Sequence, residues 1–448
     1  MILAADKWDI SKIHVFLTCL LISLIPFAVI MISYAIMLWL VSALVLIFFY
    51  EKKRITFKFN FAVIINLLLY LVFVVGVFYS ENIPSALFDI QLKLSLILFP
   101  PIIYLLRNFY KRYFNFVLLA FVIANIFAGF YCLGNAFLNS VSFENSEWMF
   151  NSHIPGVYAD TNTDAPSYFT YSNLSLFKHP SYFSMYLILC VFIMVYFVNN
   201  SLVIIKNQRT SNIIYATATT FLIIMIYLLK SKAAYGTLIL FSVIYFIVYA
   251  IMNKKKFIGA IVVVALIILG IIGYKQNSRF YYVSSLVKNQ GELVDAIQKK
   301  EYQFIIDRFG VDRIPIWMLS VEIINEHFLF GVGSGDVSDN LMSKYKKYEL
   351  HSLVENKYNT HNQYLETFIA VGVIGFLIFM TWLFYPFFLR RNYTRKRFLI
   401  LIFIGIIIIN FMFEAVLNTI AGVIFIAFFY SFLLFVKGRS QGTEKTLL

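Results

Sequence analysis

Apolar runs long enough to cross a bilayer recur along the whole chain, and they constrain its fold more than any other feature. A membrane-spanning helix needs roughly 20 apolar residues, and about twelve such runs are present. The sequence is 61% hydrophobic and 13% charged, whereas a soluble domain is about 45–50% apolar and about 25% charged. We therefore predict an all-α polytopic membrane protein. The predicted spans are 14–31, 33–50, 61–79, 86–105, 114–137, 179–198, 212–229, 233–252, 257–275, 362–386, 397–413 and 416–436.

Lysine and arginine are concentrated in alternate loops, and this pattern predicts the orientation. Cytoplasmic loops carry an excess of these residues, whereas the short loops near 80–85 and 413–416 contain none. Both termini are therefore predicted to be cytoplasmic, and no removable signal peptide is predicted at the start of the chain. The net charge of +14 follows from these loops rather than from a nucleic-acid surface. The basic residues of the predicted cytoplasmic segments are Lys52, Lys53, Arg54, Lys58, Arg107, Lys111, Arg112, Lys206, Arg209, Lys254, Lys255, Lys256, Arg390, Arg391, Arg395, Lys396, Arg397, Lys437, Arg439 and Lys445.

This orientation divides the chain into four parts. Residues 1–275 form an N-terminal membrane bundle of about nine spans, with an outside loop at 138–178. Residues 276–360 form a large, mostly polar outside loop. Residues 362–436 return to the membrane, and a cytoplasmic tail ends the chain at 437–448. A large outside loop that leads back into lipid is typical of chemistry on a membrane-anchored substrate.

The large loop is predicted to contain an amphipathic helix over residues 312–328. Pro315 suits a first helical turn, and the segment is too short and too charged to span the membrane, so we expect an interfacial or re-entrant helix. The glycine-rich segment 331–335 follows as a flexible turn, and it lacks the Lys-Ser/Thr of a phosphate-binding loop. The residues predicted to share the apolar face are Trp317, Ser320, Val321, Ile324 and Phe328.

His361 lies where the large loop returns to the membrane. Thr360 and Gln363 have capping-box spacing, which places His361 at the first helical position of the span 362–386. The positive end of the helix dipole disfavours an imidazolium there. A neutral imidazole can accept a proton, so the position suits a general base. The alternative is an interfacial histidine that only caps the helix.

Glu366 lies one turn deeper, near the face that contains Asn362 and Gln363. A carboxylate inside the lipid boundary is costly and indicates a partner or a polar cavity. Glu366 is therefore predicted either to hold the His361 imidazole or to pair with a cation of the loop; the alternative is that it faces lipid headgroups. Glu414, at the outer end of another span, raises the same question.

Three cations are candidates for binding an anionic substrate. Arg313, with Arg308 nearby, has the guanidinium that reaches phosphate oxygens in a bidentate manner; the alternative is a solvated loop charge. Lys232 belongs to an outside turn that breaks the charge rule, and it either snorkels or binds an anion at the outer surface. Arg313, Lys232 and His361 are predicted to lie on the same side of the membrane.

Several common catalytic patterns are missing from the sequence. It contains no Asp-x-Asp pair, no Gly-x-Ser-x-Gly elbow and no His-Glu-x-x-His zinc site. The cysteines Cys19, Cys132 and Cys190 all lie in apolar segments without the spacing of a disulfide framework. We therefore predict no cofactor and no metal.

The candidate segments resemble the O-antigen ligase and O-antigen polymerase family of bacterial membrane enzymes. The resemblance covers roughly residues 170–436. It lies in Thr360 to Glu366 with the following Gly372-Val373-Ile374-Gly375, in Arg313 to Trp317 running into Gly331 to Gly335, in Ser231 to Ala234, in Lys178-His179-Pro180, and in Glu414 before the last span. Lys232 stands where the family usually has arginine, and lysine loses the bidentate fork.

The resemblance implies a metal-independent, inverting glycosyltransferase of the GT-C type. Such an enzyme takes a glycan from undecaprenyl diphosphate at the periplasmic face of the inner membrane. His361 would be the general base, and Arg313, with Lys232 and Arg308, would bind the diphosphate. Supporting roles are predicted for Glu366, Asn362, Gln363, Gly333, Gly335 and His179.

Three functions remain open at this point. The leading one is an O-antigen ligase, which transfers the glycan to lipid A–core. The second is a Wzy-type polysaccharide polymerase, which transfers it to another lipid-linked repeat. The third is a flippase for lipid-linked oligosaccharides, which is disfavoured because transporters typically have repeats and ionisable groups near the midplane.

Overall fold

The structure is a computed structural model, and it describes residues 10–27, 29–50, 60–144, 147–154, 166–204, 207–252, 286–389 and 395–436, together with residues 254, 257 and 264. It is mostly helical. Within these residues, seven helices are long and apolar enough to cross a membrane, which agrees with an all-α membrane protein. The helices are α1 Ile10–Leu24, α2 Val29–Val45, α3 Phe61–Val77, α4 Ile83–Leu92, α5 Ser95–Leu105, α6 Arg107–Ser140, α7 Tyr171–Leu174, α8 Pro180–Asn199, α9 Gln208–Leu228, α10 Lys232–Met252, α11 Gln290–Gln298, α12 Tyr302–Phe309, α13 Arg313–Glu326, α14 Val337–Lys347, α15 His351–Glu355, α16 Gln363–Phe388, α17 Arg395–Phe411 and α18 Ile420–Phe435.

Most predicted spans coincide with helices where the structure describes them, but several bounds differ. The break predicted at residue 32 lies earlier, inside the predicted span 14–31, because α1 ends at Leu24 and α2 begins at Val29. The last span begins with the 3-10 turn Val416–Asn418, and its helix begins at Ile420. The span 86–105 is two helices, α4 and α5, that meet at Lys93 and Leu94. The span 114–137 is part of α6, which is 34 residues long. The span 257–275 lies outside the described ranges, so the total of about twelve spans stays a prediction.

One helix, α18, is buried on all sides. All of its residues from Ala421 to Phe435 are buried, and it packs against α5 and α17. A helix that is apolar all round is expected either in a core or in lipid. The packing of Phe121 on Phe429, with ring centroids 4.6 Å apart, is one of the contacts that place α18 in the protein core.

A short hairpin interrupts the helical fold. Strands β1 (Val141–Glu144) and β2 (Glu147–Phe150) pair antiparallel directly after α6. It was not predicted, because it lies inside the segment assigned as the outside loop 138–178.

The predicted loop helix 312–328 is confirmed as α13, but its buried face differs from the prediction. Ser320 and Ile324 are buried as expected, whereas Val321 and Phe328 are exposed at 47% and 48%. The reason is that α13 packs against both α14 and α16, so protein contacts rather than a flat lipid surface select its buried side. The buried residues of α13 are Pro315, Ile316, Leu319, Ser320, Ile323 and Ile324.

The glycine-rich segment is a fixed backbone contact, which corrects its assignment as a flexible turn. Helix α16 is broken at Gly372, where φ is 62° and ψ is −170°. The groups freed by this break bond to the loop: Val332 N donates to Ile369 O (2.8 Å), and Val373 N donates to Phe328 O (2.9 Å). Irregular backbone at membrane depth requires such partners, because lipid supplies none.

Gly333 and Gly335, whose supporting role in the site stays a prediction, pack on the α3–α4 connection. A Cβ at Gly333 would overlap Ser80, and one at Gly335 would overlap the Asn82 carbonyl oxygen. Asp336 completes the contact, because its carboxylate accepts hydrogen bonds from the backbone N–H groups of Glu81 and Asn82 at 2.7 and 2.8 Å. These glycines therefore allow a close approach of two backbones.

Replacing Gly372 by alanine is expected to lower the thermal stability of the purified protein. The φ and ψ of Gly372 fall in a region that is essentially restricted to glycine, and a residue held there costs about 1–3 kcal/mol. In addition, a Cβ would overlap the Leu329 carbonyl oxygen. The midpoint of thermal unfolding in detergent measures the effect.

Gly134→Ala is the matched control for this change. Gly134 lies within α6 and has open space around it, so alanine there should be neutral or stabilising by up to about 1 kcal/mol through helix propensity. Equal midpoints for the two variants would contradict the assigned role of Gly372.

Candidate functional site

Helix α16 begins two residues later than the capping box predicted. Its N-cap is Asn362, whose side-chain oxygen accepts hydrogen bonds from Tyr364 N at 2.9 Å and Leu365 N at 3.2 Å. The predicted N-cap, Thr360, instead bonds through its hydroxyl to the Asn362 carbonyl oxygen. Asparagine is one of the strongest N-cap residues, and here it prevails over threonine. His361 therefore precedes the helix rather than forming its first position.

His361 adopts a backbone conformation that is uncommon for a residue with a side chain. Its φ is 46°, in the left-handed region where non-glycine residues are rare. Its N–H donates to the side-chain oxygen of Asn359 at 2.9 Å. This conformation turns the imidazole towards Glu414, which follows the end of α17.

Glu414 brings together side chains from four separate parts of the chain. Its Oε2 lies 3.4 Å from His361 Nδ1, and its Oε1 lies 3.4 Å from a terminal nitrogen of Arg313. Ser181 Oγ donates to Oε1 at 3.3 Å, and His179 Nδ1 lies 3.9 Å from the same oxygen. We call these five residues the Glu414 cluster.

Local structure explains how each side chain reaches the cluster. Arg313 is the first residue of α13, and His179 is the N-cap of α8, where its ring accepts from Ser181 N at 3.4 Å. Glu414 lies in the turn between α17 and the 3-10 turn Val416–Asn418. The cluster is therefore assembled from the ends of helices, which a rigid scaffold positions well.

The charge of Glu414 is stabilised by its neighbours. Burial alone would raise the pKa of the Glu414 carboxyl, but the hydrogen bond from His361 and the positive charges of Arg313 and His179 outweigh burial and hold that pKa below its ordinary value. Glu414 is therefore a carboxylate at neutral pH.

Asp312 is a second carboxyl group near His361. Burial raises the pKa of Asp312, and its electrostatic interaction with His361 partly offsets this effect.

The exposure of the cluster indicates which groups can meet a substrate. The Glu414 side chain is 11% exposed, whereas His361 is 28% and Arg313 is 36% exposed. The carboxylate is covered, and the imidazole and guanidinium reach the solvent side of it. If Nδ1–H of His361 donates to Glu414, the lone pair lies on Nε2, where it can accept a proton. The arrangement is that of a base oriented by a carboxylate.

Glu366 does not hold the His361 ring, which corrects one of the two roles predicted for it. Its oxygens accept hydrogen bonds from Thr360 Oγ1 and Asn418 Nδ2, both at 2.7 Å. Gln363, the next residue of the predicted capping box, accepts from Leu417 N at 2.7 Å. Both side chains thus bond to the segment that follows Glu414.

The other predicted cations lie elsewhere in the structure. Arg308, on α12, pairs with Glu292 of α11 at 3.5 Å, so it makes an ion pair between two neighbouring helices of the segment between α10 and α16. Lys232 is the first residue of α10, and its side chain is exposed. Their roles in binding an anion stay predictions. In the part of the chain that the structure describes, no group of three or more His, Cys, Asp or Glu is arranged to hold a metal ion.

The sequence motifs did not identify Glu414 as the centre of the site and gave no signal for Ser181. A sequence signal for Glu414 exists, because it is an acid in a short connection between two highly apolar segments. Its partners are 53 and 101 residues away along the chain, so only the fold could identify them.

A comparison with protein families places part of this site in a known domain. Residues 217–380 match the family model described as O-antigen ligase, which confirms the resemblance found in the sequence motifs. The match includes Arg313 and His361 and ends before Glu414. No curated protein matches the chain.

Proposed function

We propose, from the O-antigen ligase domain at residues 217–380, that this membrane protein is a glycosyltransferase acting on a lipid-linked glycan. In this proposal the donor is a glycan on undecaprenyl diphosphate, and the acceptor is a sugar hydroxyl of lipid A–core. The reaction takes place at the periplasmic face of the inner membrane, without a metal or cofactor. O-antigen ligation is the leading function, and polymerisation of lipid-linked repeats is the alternative within the same family.

One observation carries the proposal: Glu414 holds a histidine and an arginine side by side at the outer ends of the helices. His361 and Arg313 both lie 3.4 Å from the same carboxylate. Transfer from a diphosphate needs a base for the acceptor and positive charge for the leaving group. The Glu414 cluster contains both, and both are partly exposed.

The proposed reaction assigns a step to each group. His361 Nε2 takes the proton of the acceptor hydroxyl while that oxygen bonds to the anomeric carbon of the donor. The bond between the anomeric carbon and the diphosphate oxygen breaks, and the electron pair leaves with the diphosphate. Arg313 stabilises this developing charge. A base and a leaving group on opposite faces of the sugar lead to inversion at the anomeric carbon.

Glu414 contributes orientation and charge to this mechanism. A carboxylate on Nδ1 fixes the tautomer that leaves Nε2 basic, and it stabilises the imidazolium that forms. Its low pKa keeps it ionised at neutral pH. Ser181 Oγ donates a hydrogen bond to Oε1 of the carboxylate, and His179 Nδ1 lies 3.9 Å from the same oxygen.

Replacing Arg313 by alanine is expected to lower kcat/KM for the lipid-linked donor by about 10²-fold, the usual effect of losing one donor to a developing negative charge. Lysine at this position keeps the charge but loses the bidentate fork. The kcat/KM of Arg313→Lys should therefore lie between those of Arg313→Ala and wild type. Initial rates with purified protein and a diphosphate-linked donor measure both variants.

Lys299→Ala is the control for nonspecific loss of positive charge. Lys299 belongs to an exposed ion pair with Asp295 on the outside loop, and its removal should leave the transfer rate unchanged. Wild-type rates in Arg313→Ala would contradict the proposed contact with the leaving group.

A deletion strain tests the acceptor. Surface glycans and lipid-linked intermediates are extracted and compared with those of the parent strain. A ligase predicts long polymer that accumulates on undecaprenyl diphosphate beside bare lipid A–core. A polymerase predicts core capped by a single repeat, with long chains missing from both pools. An unchanged profile would contradict both functions for that glycan.

A further inference from the structure

Glu366 is a buried carboxylate that the proposed reaction does not use. It lies in the first turn of α16 and is 8% exposed. Its Oε2 accepts from Thr360 Oγ1 and its Oε1 accepts from Asn418 Nδ2, each at 2.7 Å. Burying a carboxylate is costly unless hydrogen bonds compensate, so two short bonds to two different segments require an explanation.

The two segments are those that contain the base and its carboxylate partner. Thr360 directly precedes His361, and Asn418 ends the 3-10 turn Val416–Asn418 that follows Glu414. Glu366 therefore links the backbone around His361 to the backbone around Glu414, one oxygen to each. These segments otherwise belong to different helical connections, about 50 residues apart in the chain.

The segment before His361 is held from a second direction. Trp317 Nε1 donates to the Thr360 carbonyl oxygen at 3.0 Å, and Trp317 lies on α13, the helix that begins with Arg313. Gln363 Oε1 adds a bond to Leu417 N at 2.7 Å. The left-handed φ of His361 persists only when its surroundings hold it, and the bonds on Thr360 provide that restraint.

We propose that Glu366 is a positioning residue that holds His361 and Glu414 in register by hydrogen bonding to Thr360 and Asn418. This inference rests on the proposed function, because it gives the two positioned groups their catalytic roles. Glu366 touches no reacting atom in this proposal. It acts on the distance between the imidazole and the carboxylate, and so on kcat rather than on donor binding.

Hydrogen bonding can be separated from charge at this position. Lys93, buried and paired with Asp89, acts electrostatically on Glu366, so a purely electrostatic role is the competing explanation. Glutamine removes the charge and keeps the bridge: its oxygen can accept from Asn418, and its NH₂ group can donate to Thr360 Oγ1. The Thr360 hydroxyl proton then bonds to the Asn362 carbonyl oxygen, 2.9 Å away.

The test compares Glu366→Ala, Glu366→Gln and Thr360→Val with wild type in purified protein. Misplacing a catalytic group by about 1 Å costs on the order of 10²-fold, so we expect alanine to lower kcat by about 10- to 100-fold with the KM for the donor little changed. Glutamine should retain most of the activity. The double variant Thr360→Val with Glu366→Ala should lose less kcat than the product of the two single losses, because each single variant already removes the bond between Thr360 and Glu366.

A second measurement is independent of catalysis. Diethyl pyrocarbonate modifies accessible imidazoles, and mass spectrometry gives the rate for each histidine. We expect His361 to be modified faster in Glu366→Ala, because the contact of its imidazole with Glu414 is loosened. In Glu366→Gln, His361 should be modified at the wild-type rate. His351, which is exposed on α15, is the internal control and should not change in any correctly folded variant.

The outcomes separate this inference from the proposed function. Wild-type kcat and wild-type His361 modification in Glu366→Ala would overturn the inference, as would a glutamine variant as impaired as alanine. If the wild-type protein transfers no glycan, the proposed function fails. The modification rates would then still decide whether Glu366 positions His361 beside Glu414.

Discussion

Replacing His361 by alanine should abolish detectable glycan transfer while the protein still inserts into the membrane. The His361 imidazole is the group proposed to take the acceptor proton, and general-base catalysis contributes about 10²- to 10⁴-fold. The loss should appear in kcat, because the proposed contact of the diphosphate is with Arg313 rather than with the base. A time course with purified protein, lipid-linked donor and acceptor measures it.

His351→Ala is the matched control for the His361 variant. Both histidines lie between α10 and α16, but His351 begins α15 and is exposed, so its removal should leave the rate at the wild-type level. Transfer at the wild-type rate in His361→Ala would exclude His361 as the base. A flippase would likewise show no dependence of transfer on this residue, so the same variant separates an enzyme from a transporter.

Replacing Glu414 by glutamine should lower kcat by about 10²-fold or more. An orienting carboxylate fixes the histidine tautomer, and a neutral amide does not, which in the serine proteases costs about 10⁴-fold. The effect should be smaller here, because the contact between His361 Nδ1 and Glu414 Oε2 is 3.4 Å long. The variant also removes the negative charge that pairs with Arg313, so its effect combines orientation and charge.

Glu414→Asp and Glu355→Gln complete this experiment. Aspartate keeps the charge but shortens the side chain, so Glu414→Asp should recover part of the activity that is lost in Glu414→Gln. Glu355 is exposed at the end of α15, and glutamine there should have no effect. An unaffected rate in Glu414→Gln would mean that the carboxylate only stabilises the fold around His361.

The same carboxylate predicts a pH dependence of stability. Its folded pKa lies below the ordinary value, so its charge contributes stability that is fully present above the unfolded pKa. This contribution is lost as the pH falls through the lowered folded pKa. In Glu414→Gln the acid side of a stability profile should therefore be flatter than in wild type.

The membrane-spanning architecture was predictable because a bilayer imposes simple rules. A helix must be about 20 apolar residues long to cross it, and its backbone must satisfy its own hydrogen bonds. These rules depend on local composition, so runs such as 179–198 and 233–252 were located closely, as α8 and α10. The loop helix α13 was found for a similar reason, from Pro315 and its apolar periodicity.

Local rules failed where two local solutions competed. Thr360 and Asn362 both qualify as N-caps, and the spacing of Gln363 favoured Thr360. In the fold, Thr360 Oγ1 bonds to Glu366, which leaves Asn362 to cap the helix. Local rules also did not reveal the role of the glycines. Gly333 and Gly335 allow a close approach of two backbones, and the residues that they approach, Ser80 and Asn82, are distant in the chain.

By itself, the sequence determined that this protein is built from apolar helices long enough to cross a membrane, and that His361 and Arg313 lie in the stretch that matches the O-antigen ligase family model. Both properties can be read from contiguous residues, because hydropathy and sequence motifs are local. Only the tertiary structure decided that Glu414 contacts both His361 and Arg313. It also decided that Glu366 bonds to the segment before His361 and to the segment after Glu414. Those contacts join side chains from separate helix ends, and their distances depend on how the helices pack rather than on any spacing along the chain.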